Sequence, residues 1–139
     1  MKIVLDINVL LSGLVTNSAA PAQIIALWEN DVFDIAVSEH ILDGVSRALA
    51  KSYWRNRLDI KQLGHRLAGI RLLLKHVRPV TGVHGVAEDD EDDLVLATAV
   101  AAKADYLVTG DKYLLRIGEF RGILIVSPRQ FLDLMLEPR

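Results

Sequence analysis

Two apolar runs in this chain show no polar alternation, and each leads into an aspartate. Ile3-Val4-Leu5 runs into Asp6, and Tyr106-Leu107-Val108 runs into Thr109-Gly110-Asp111. A short unbroken apolar run reads as a strand buried on both faces. Such strands belong to parallel sheets, whose crossover helices cover both sides. Along the rest of the chain apolar strands alternate with helices. Strands are expected at Lys2–Leu5, Phe33–Val37, Val77–Val80, Asp105–Val108 and Ile123–Val126. Pro79 interrupts the third, which suits a sheet edge.

Helices are expected between the strands, at Asn8–Leu14, at Ala22–Glu29 behind Pro21, and from Ser38 to about Lys51. A long helix capped by Asp59 carries Leu63, Leu67, Ile70 and Leu74 on one face. Further helices span Asp92–Ala102 and Tyr113–Ile117, and Ser127-Pro128 opens the last. Ser38, Asp59 and Ser127 are favoured N-cap types, and Pro21 and Pro128 sit where a first turn tolerates proline. The expected fold class is α/β: a three-layer α/β/α sandwich around a Rossmann-like parallel sheet of four to five strands. At 139 residues, 51% of them hydrophobic, residues 1–139 are expected to form a single domain with a sizeable core.

The absence of cysteine excludes disulfides, zinc–thiolate sites and thiol catalysis. The chain enters a strand pattern directly after Met1, with no leader pattern and no apolar run long enough for a bilayer. A cytoplasmic protein without membrane contact is the expectation. The net charge of −2 hides an asymmetry. Between Arg47 and Arg78 lie Lys51, Arg55, Arg57, Lys61, Arg66, Arg71 and Lys75, against the single acid Asp59. Every residue from Glu88 to Asp93 is acidic. A basic segment and an acidic focus suit an anionic polymer held by one and cut at the other.

Ligands of open α/β sheets bind beyond the carboxyl ends of the strands. Asp6 and Asp111 stand at two such ends. Asp92, which starts the helix feeding the Asp105 strand, is expected at the opposite end unless the preceding loop brings it back. If the three meet, their charges raise one another's pKa and call for a cation. Oxygen-only donors suit Mg²⁺ or Mn²⁺.

Four blocks in order resemble the PIN-domain family, in the group of toxin components of type II toxin–antitoxin pairs. They are Val4-Leu5-Asp6-Ile7-Asn8-Val9-Leu10, Val37-Ser38-Glu39-His40-Ile41-Leu42, Asp92-Asp93-Leu94-Val95-Leu96-Ala97-Thr98-Ala99, and Ala104-Asp105-Tyr106-Leu107-Val108-Thr109-Gly110-Asp111. The resemblance implies that Asp6, Asp92 and Asp111 hold the Mg²⁺ or Mn²⁺ and carry catalysis, with Asn8 and Thr109 supporting them by hydrogen bonds. It implies a ribonuclease that cuts single-stranded RNA, a small antitoxin partner and a homodimer. Arg47, Lys51 and Arg55 fall four apart and could track the RNA backbone. Tyr53 and Trp54 are read as cover for a core edge or a dimer contact. His40, His65, His76 and His84 share no metal-ligand spacing, so a histidine-based mechanism is not expected.

Two positions depart from the family pattern. Ile7 stands where the family has Thr. Gly44 stands where it has Glu, and Asp43 lies one residue earlier, about 100° around the helix. Asp43 is the candidate fourth ligand. The alternative is a catalytically impaired module that binds RNA or a protein without cutting. A receiver domain and a haloacid-dehalogenase-type phosphatase fit poorly: Asp6 has no acidic neighbour, and Asn8 stands where the phosphatase needs a second Asp.

Overall fold

Strand β1 (Lys2–Leu5) lies inside the sheet, with a parallel neighbour on each side. This is why its sequence shows no alternation: Ile3, Val4 and Leu5 are all buried, whichever face they point to. The computed structural model describes residues 1–17, 19–51 and 59–137. Within them the order is β1, α1 (Ile7–Val15), α2 (Ala20–Glu29), β2 (Asp34–Val37), α3 (Glu39–Leu49), α4 (Ile60–Leu73), β3 (Lys75–His76) and α5 (Asp90–Ala102). There follow β4 (Tyr106–Val108), α6 (Lys112–Ile117), β5 (Glu119–Phe120), β6 (Ile123–Val126) and α7 (Pro128–Leu136). The sheet order is β3-β2-β1-β4-β6-β5, parallel except for β5.

The expected α/β/α sandwich is therefore found, with six strands instead of four or five. The additional strand is β5, which pairs antiparallel with β6 through the two-residue turn Arg121-Gly122. Both turn residues have positive φ, 50° and 85°, as a type I′ hairpin requires. The third strand lies earlier than Val77–Val80. Val77 still donates to the Val37 carbonyl at 2.9 Å, but Pro79 has no N–H, and Val80 turns to the Ala97 carbonyl at 3.2 Å.

Helices cover both faces. Helix α5 lies across β1, β2 and β4, whereas α1 packs on α2 and α3, and α7 returns onto α2. The caps are largely those expected, at Ser38, Asp59 and Ser127, the last in a reciprocal box with Gln130. Helix α5 starts earlier than expected because Asp89, not a later residue, is its cap. Leu63 and Leu67 are partly buried and Ile70 and Leu74 fully, so α4 presents the expected face. Among the described residues no single helix is long and apolar enough to cross a membrane.

Phe131 and Leu132 bury the last helix against the core. Phe131 is fully buried and meets Phe33 and Tyr106 edge-on, with centroids 5.3 and 5.4 Å away. Truncating a buried Phe typically costs about 3–5 kcal/mol. Phe131→Ala is therefore expected to lose stability in that range in urea unfolding. A loss under about 1 kcal/mol would show that α7 is not held by this cluster.

Candidate metal centre

The carboxyl ends of β1 and β4 open into a cleft of about 880 Å³. Asp6 is the first residue past β1. Its N–H donates to the Val108 carbonyl at 2.9 Å, so the β1–β4 ladder continues one step and fixes its backbone. Its side chain is buried at 7% exposure, and each oxygen accepts one bond: Oδ1 accepts the Ile7 N–H at 2.7 Å, and Oδ2 accepts the Thr109 hydroxyl at 2.6 Å. Thr109 is fixed in turn, since its N–H donates to the Val126 carbonyl at 2.9 Å. Its oxygen also accepts the Asp111 N–H at 3.0 Å. Asp111 caps α6 by accepting the Leu114 N–H at 2.9 Å. Ladder, hydroxyl and cap thus form one chain from Asp6 to Asp111.

Asp92 reaches the same cleft, which it lines with Asp6, Asp89, Glu91 and Asp111. The expectation that it starts at the opposite end is corrected here. A helix that feeds a parallel strand runs back along the sheet, so its head lies at the carboxyl edge. The Asp89 carboxylate accepts the Asp92 N–H at 2.8 Å and so orders that head.

Electrostatics ties the acids together. Burial, against the opposing hydrogen bonds from Thr109 and Ile7, leaves the Asp6 carboxyl above its ordinary pKa, and the charges of Asp111 and Asp89 add to this. Asp92 is raised to about 7, first by loss of solvent and then by the charges of Asp6, Asp89, Asp111 and Glu91. Burial and mutual repulsion thus both disfavour the charged forms of Asp6 and Asp92. Among the described residues no group of three Asp, Glu or His side chains stands at a spacing that holds an ion directly. Mg²⁺ commonly keeps several waters and takes only one or two carboxylates directly. The donor set fits such an ion: acidic, oxygen-only and roomy.

The other candidates divide. Asn8 lines the cleft but makes no hydrogen bond to Asp6, Asp92 or Asp111. Arg47 lines it from α3 and Lys51 from just beyond that helix, and Arg55, Tyr53 and Trp54 lie outside the described residues. Sequence reasoning missed Lys112 on the other wall, although it directly follows Asp111. Arg47 pairs with Glu91 at 3.5 Å, and the His40 ring donates Nε2–H to the Glu91 carbonyl at 3.1 Å, joining α3 to α5. Two residues of the remaining basic segment serve packing: Arg66 donates to the Leu14 carbonyl at 2.7 Å, and Arg71 pairs with Glu39 at 2.6 Å.

Asp43 is exposed and is not among the cleft-lining residues, whereas Gly44 is. A Cβ at position 44 would meet Ile7 Cδ1 at 2.5 Å and Cγ1 at 3.0 Å. The two departures from the family pattern are thus one contact: Ile7 fills the space that a side chain at 44 needs.

Two acids expected to be spare have structural tasks. Asp105 accepts the Lys2 N–H at 3.0 Å. Asp93, expected only to complement the helix dipole, is buried and accepts the N–H groups of Gly85, Val86 and Ala87 at 2.8, 3.1 and 2.8 Å. Burial alone would raise its pKa. The three amides, with His84 nearby, outweigh it and hold the group below the ordinary carboxylate value.

These shifts fix a pH dependence. Folded Asp92 keeps its proton up to about pH 7, whereas the unfolded chain loses it near 3.8. Between those values the folded state binds more protons, so its stability falls as pH rises. In the presence of a chelator, Tm is expected to decline from about pH 5 to about pH 7.5, and Asp92→Asn to flatten the decline. An unchanged slope in the variant would contradict the raised pKa.

The sequence profile of the PIN domain matches residues 2–113. No curated protein matches the chain in sequence. Among solved structures, the fold is similar to a chain of VapBC2 from Rickettsia felis, crystallised with a DNA fragment from their promoter. That match has a TM-score of 0.64 at 17% identity, and covers 90% of this chain and 97% of that one. PIN domains are in general nucleases. With the profile spanning most of its length, both strand-end aspartates included, the chain belongs to the PIN-domain family.

Proposed function

We propose that this PIN domain is a metal-dependent endoribonuclease that cleaves single-stranded RNA and acts as the toxin of a toxin–antitoxin pair. The observation that carries the proposal is the convergence of Asp6, Asp92 and Asp111 on one cleft, with Asp92 raised to about 7 first by loss of solvent and then by its acidic neighbours. In this reading the three carboxylates would hold Mg²⁺ or Mn²⁺ partly through its waters, with one or two of them as direct ligands. The ion, when bound, supplies the positive charge that activates water and offsets the charge growing on the phosphate. Asp6, locked by Thr109 and Ile7, sets the floor of the site. Asp92 and Asp111 flank it. Arg47, Lys51 and Lys112 give the cleft a cationic rim for the RNA backbone. Likeness in fold to a protein from a toxin–antitoxin complex supports a small antitoxin as one partner. A second copy of the chain is proposed as another.

The Gly44–Ile7 contact favours a second reading, a module that binds RNA or protein but cuts poorly. It leaves hydrocarbon where a further carboxylate would stand. Asp43 does not take that place, since it lies away from the cleft lining.

Cleavage of a labelled single-stranded RNA in Mn²⁺ separates the two. The nuclease reading expects cleavage that Asp6→Asn abolishes, and that Thr109→Val weakens by about 10–100-fold through loss of a supporting partner. RNA that is bound but never cut, across the whole range of Mn²⁺ concentration, would leave the binding module.

A second test uses the close contact. Gly44→Glu alone is expected to lower Tm, because the new side chain must displace Ile7. Ile7→Thr with Gly44→Glu is expected to recover Tm and bind Mn²⁺ more tightly than the parent in calorimetry. Additive effects of the two substitutions would mean that positions 7 and 44 do not share this space.

A further inference from the structure

The segment from Val77 to Asp89 joins the sheet edge to α5 and delivers Asp89, Glu91 and Asp92 to the cleft. Two apolar side chains, Val83 and Ala87, sink into the core and anchor it. At residues 85–87 its backbone is held by the Asp93 carboxylate. Oδ2 accepts the Gly85 N–H at 2.8 Å, and Oδ1 accepts those of Val86 at 3.1 Å and Ala87 at 2.8 Å. Asp93 sits in the first turn of α5, and its own N–H donates to the Asp89 carbonyl at 3.1 Å. The loop and the helix head are thus tied in both directions: Asp89 caps the helix, and Asp93 binds the loop that carries Asp89.

We infer that Asp93 is a positioning residue for the cleft: by clamping residues 85–87 against the first turn of α5, its carboxylate fixes where Asp89 and Asp92 stand. Asp93 itself is not among the residues that line the cleft, so it acts through its neighbours. The chemistry requires a carboxylate. Three donors need two acceptor oxygens, and an amide side chain would set an NH₂ group against one of those N–H donors. Asparagine keeps part of the clamp, and alanine keeps none. As it concerns metal affinity, the inference rests on the metal-site reading proposed above. Partners that orient metal-binding side chains typically contribute about 10–100-fold in affinity.

The test uses the full chain as wild type, Asp93→Asn and Asp93→Ala, with two readouts: Mn²⁺ affinity by calorimetry, and amide hydrogen exchange at residues 85–87 and 90–92. The expected order of Mn²⁺ affinity is wild type, then Asn, then Ala, with a loss of about tenfold or more for Ala. Exchange is expected to quicken at both segments while the β1 and β4 amides stay protected. Should Asp93→Ala fail to fold, Asp93→Asn alone decides. Faster exchange at 85–87 with unchanged exchange at 90–92 and unchanged affinity would overturn the inference, leaving Asp93 as a loop tie only. If wild type binds no Mn²⁺, the metal-site reading fails. The inference is then decided by exchange alone: spread of the effect to 90–92 supports it, and confinement to 85–87 overturns it.

Discussion

The site depends on the parallel pairing of β1 with β4. Leu5 stands opposite Val108, and the next N–H along, that of Asp6, still bonds the Val108 carbonyl. That register sets two chain segments, about a hundred residues apart in sequence, side by side as they leave the sheet. Thr109 then bridges them, giving its hydroxyl proton to Asp6 and accepting the N–H of Asp111. Because side chains alternate along a strand, a slip of one residue would turn these groups to opposite faces. The Asp6–Val108 and Thr109–Val126 backbone bonds carry the ladders past the strand ends in the observed register.

The acidic run at 88–93 shows how one composition supports unlike tasks. Asp89 caps α5 and Glu91 reaches Arg47 across the cleft. Asp92 faces the other acids at a raised pKa, while Asp93 is buried beneath three amides at a lowered one. Adjacent carboxylates are pushed in opposite directions because one meets negative charge and the other meets N–H donors. A single cleft thus acquires an acidic edge and a rigid support from consecutive residues.

Much of this was legible in the sequence for a physical reason. Unbroken apolar runs and favoured caps are local signals, and they located all four longer strands and the helices between them. Asp6 and Asp111 could be placed at strand ends by the same means. What was not legible depended on contacts. The β5 strand is two residues long and carries no period. Pro79 moved the edge strand earlier by removing a donor. The placement of Asp92 failed on a topological point, the direction of a helix that returns along the sheet. The clamp made by Asp93 and the crowding of Ile7 against position 44 join residues whose spacing in sequence gives no hint of a meeting. Of the basic residues, sequence alone could not separate those lining the cleft from Arg66 and Arg71, which hold α4 in place.

The central claim is that Asp6, Asp92 and Asp111 share one field that a divalent cation relieves. Its most direct test is calorimetric titration of Mn²⁺ near pH 7 in two buffers of different ionisation enthalpy. Asp92 is partly protonated at that pH, and binding should drive its proton off. The expected result is a saturable heat whose difference between buffers reports net proton release, reduced in Asp92→Asn. Saturable binding with no buffer dependence, or no binding at all, would contradict the shared field.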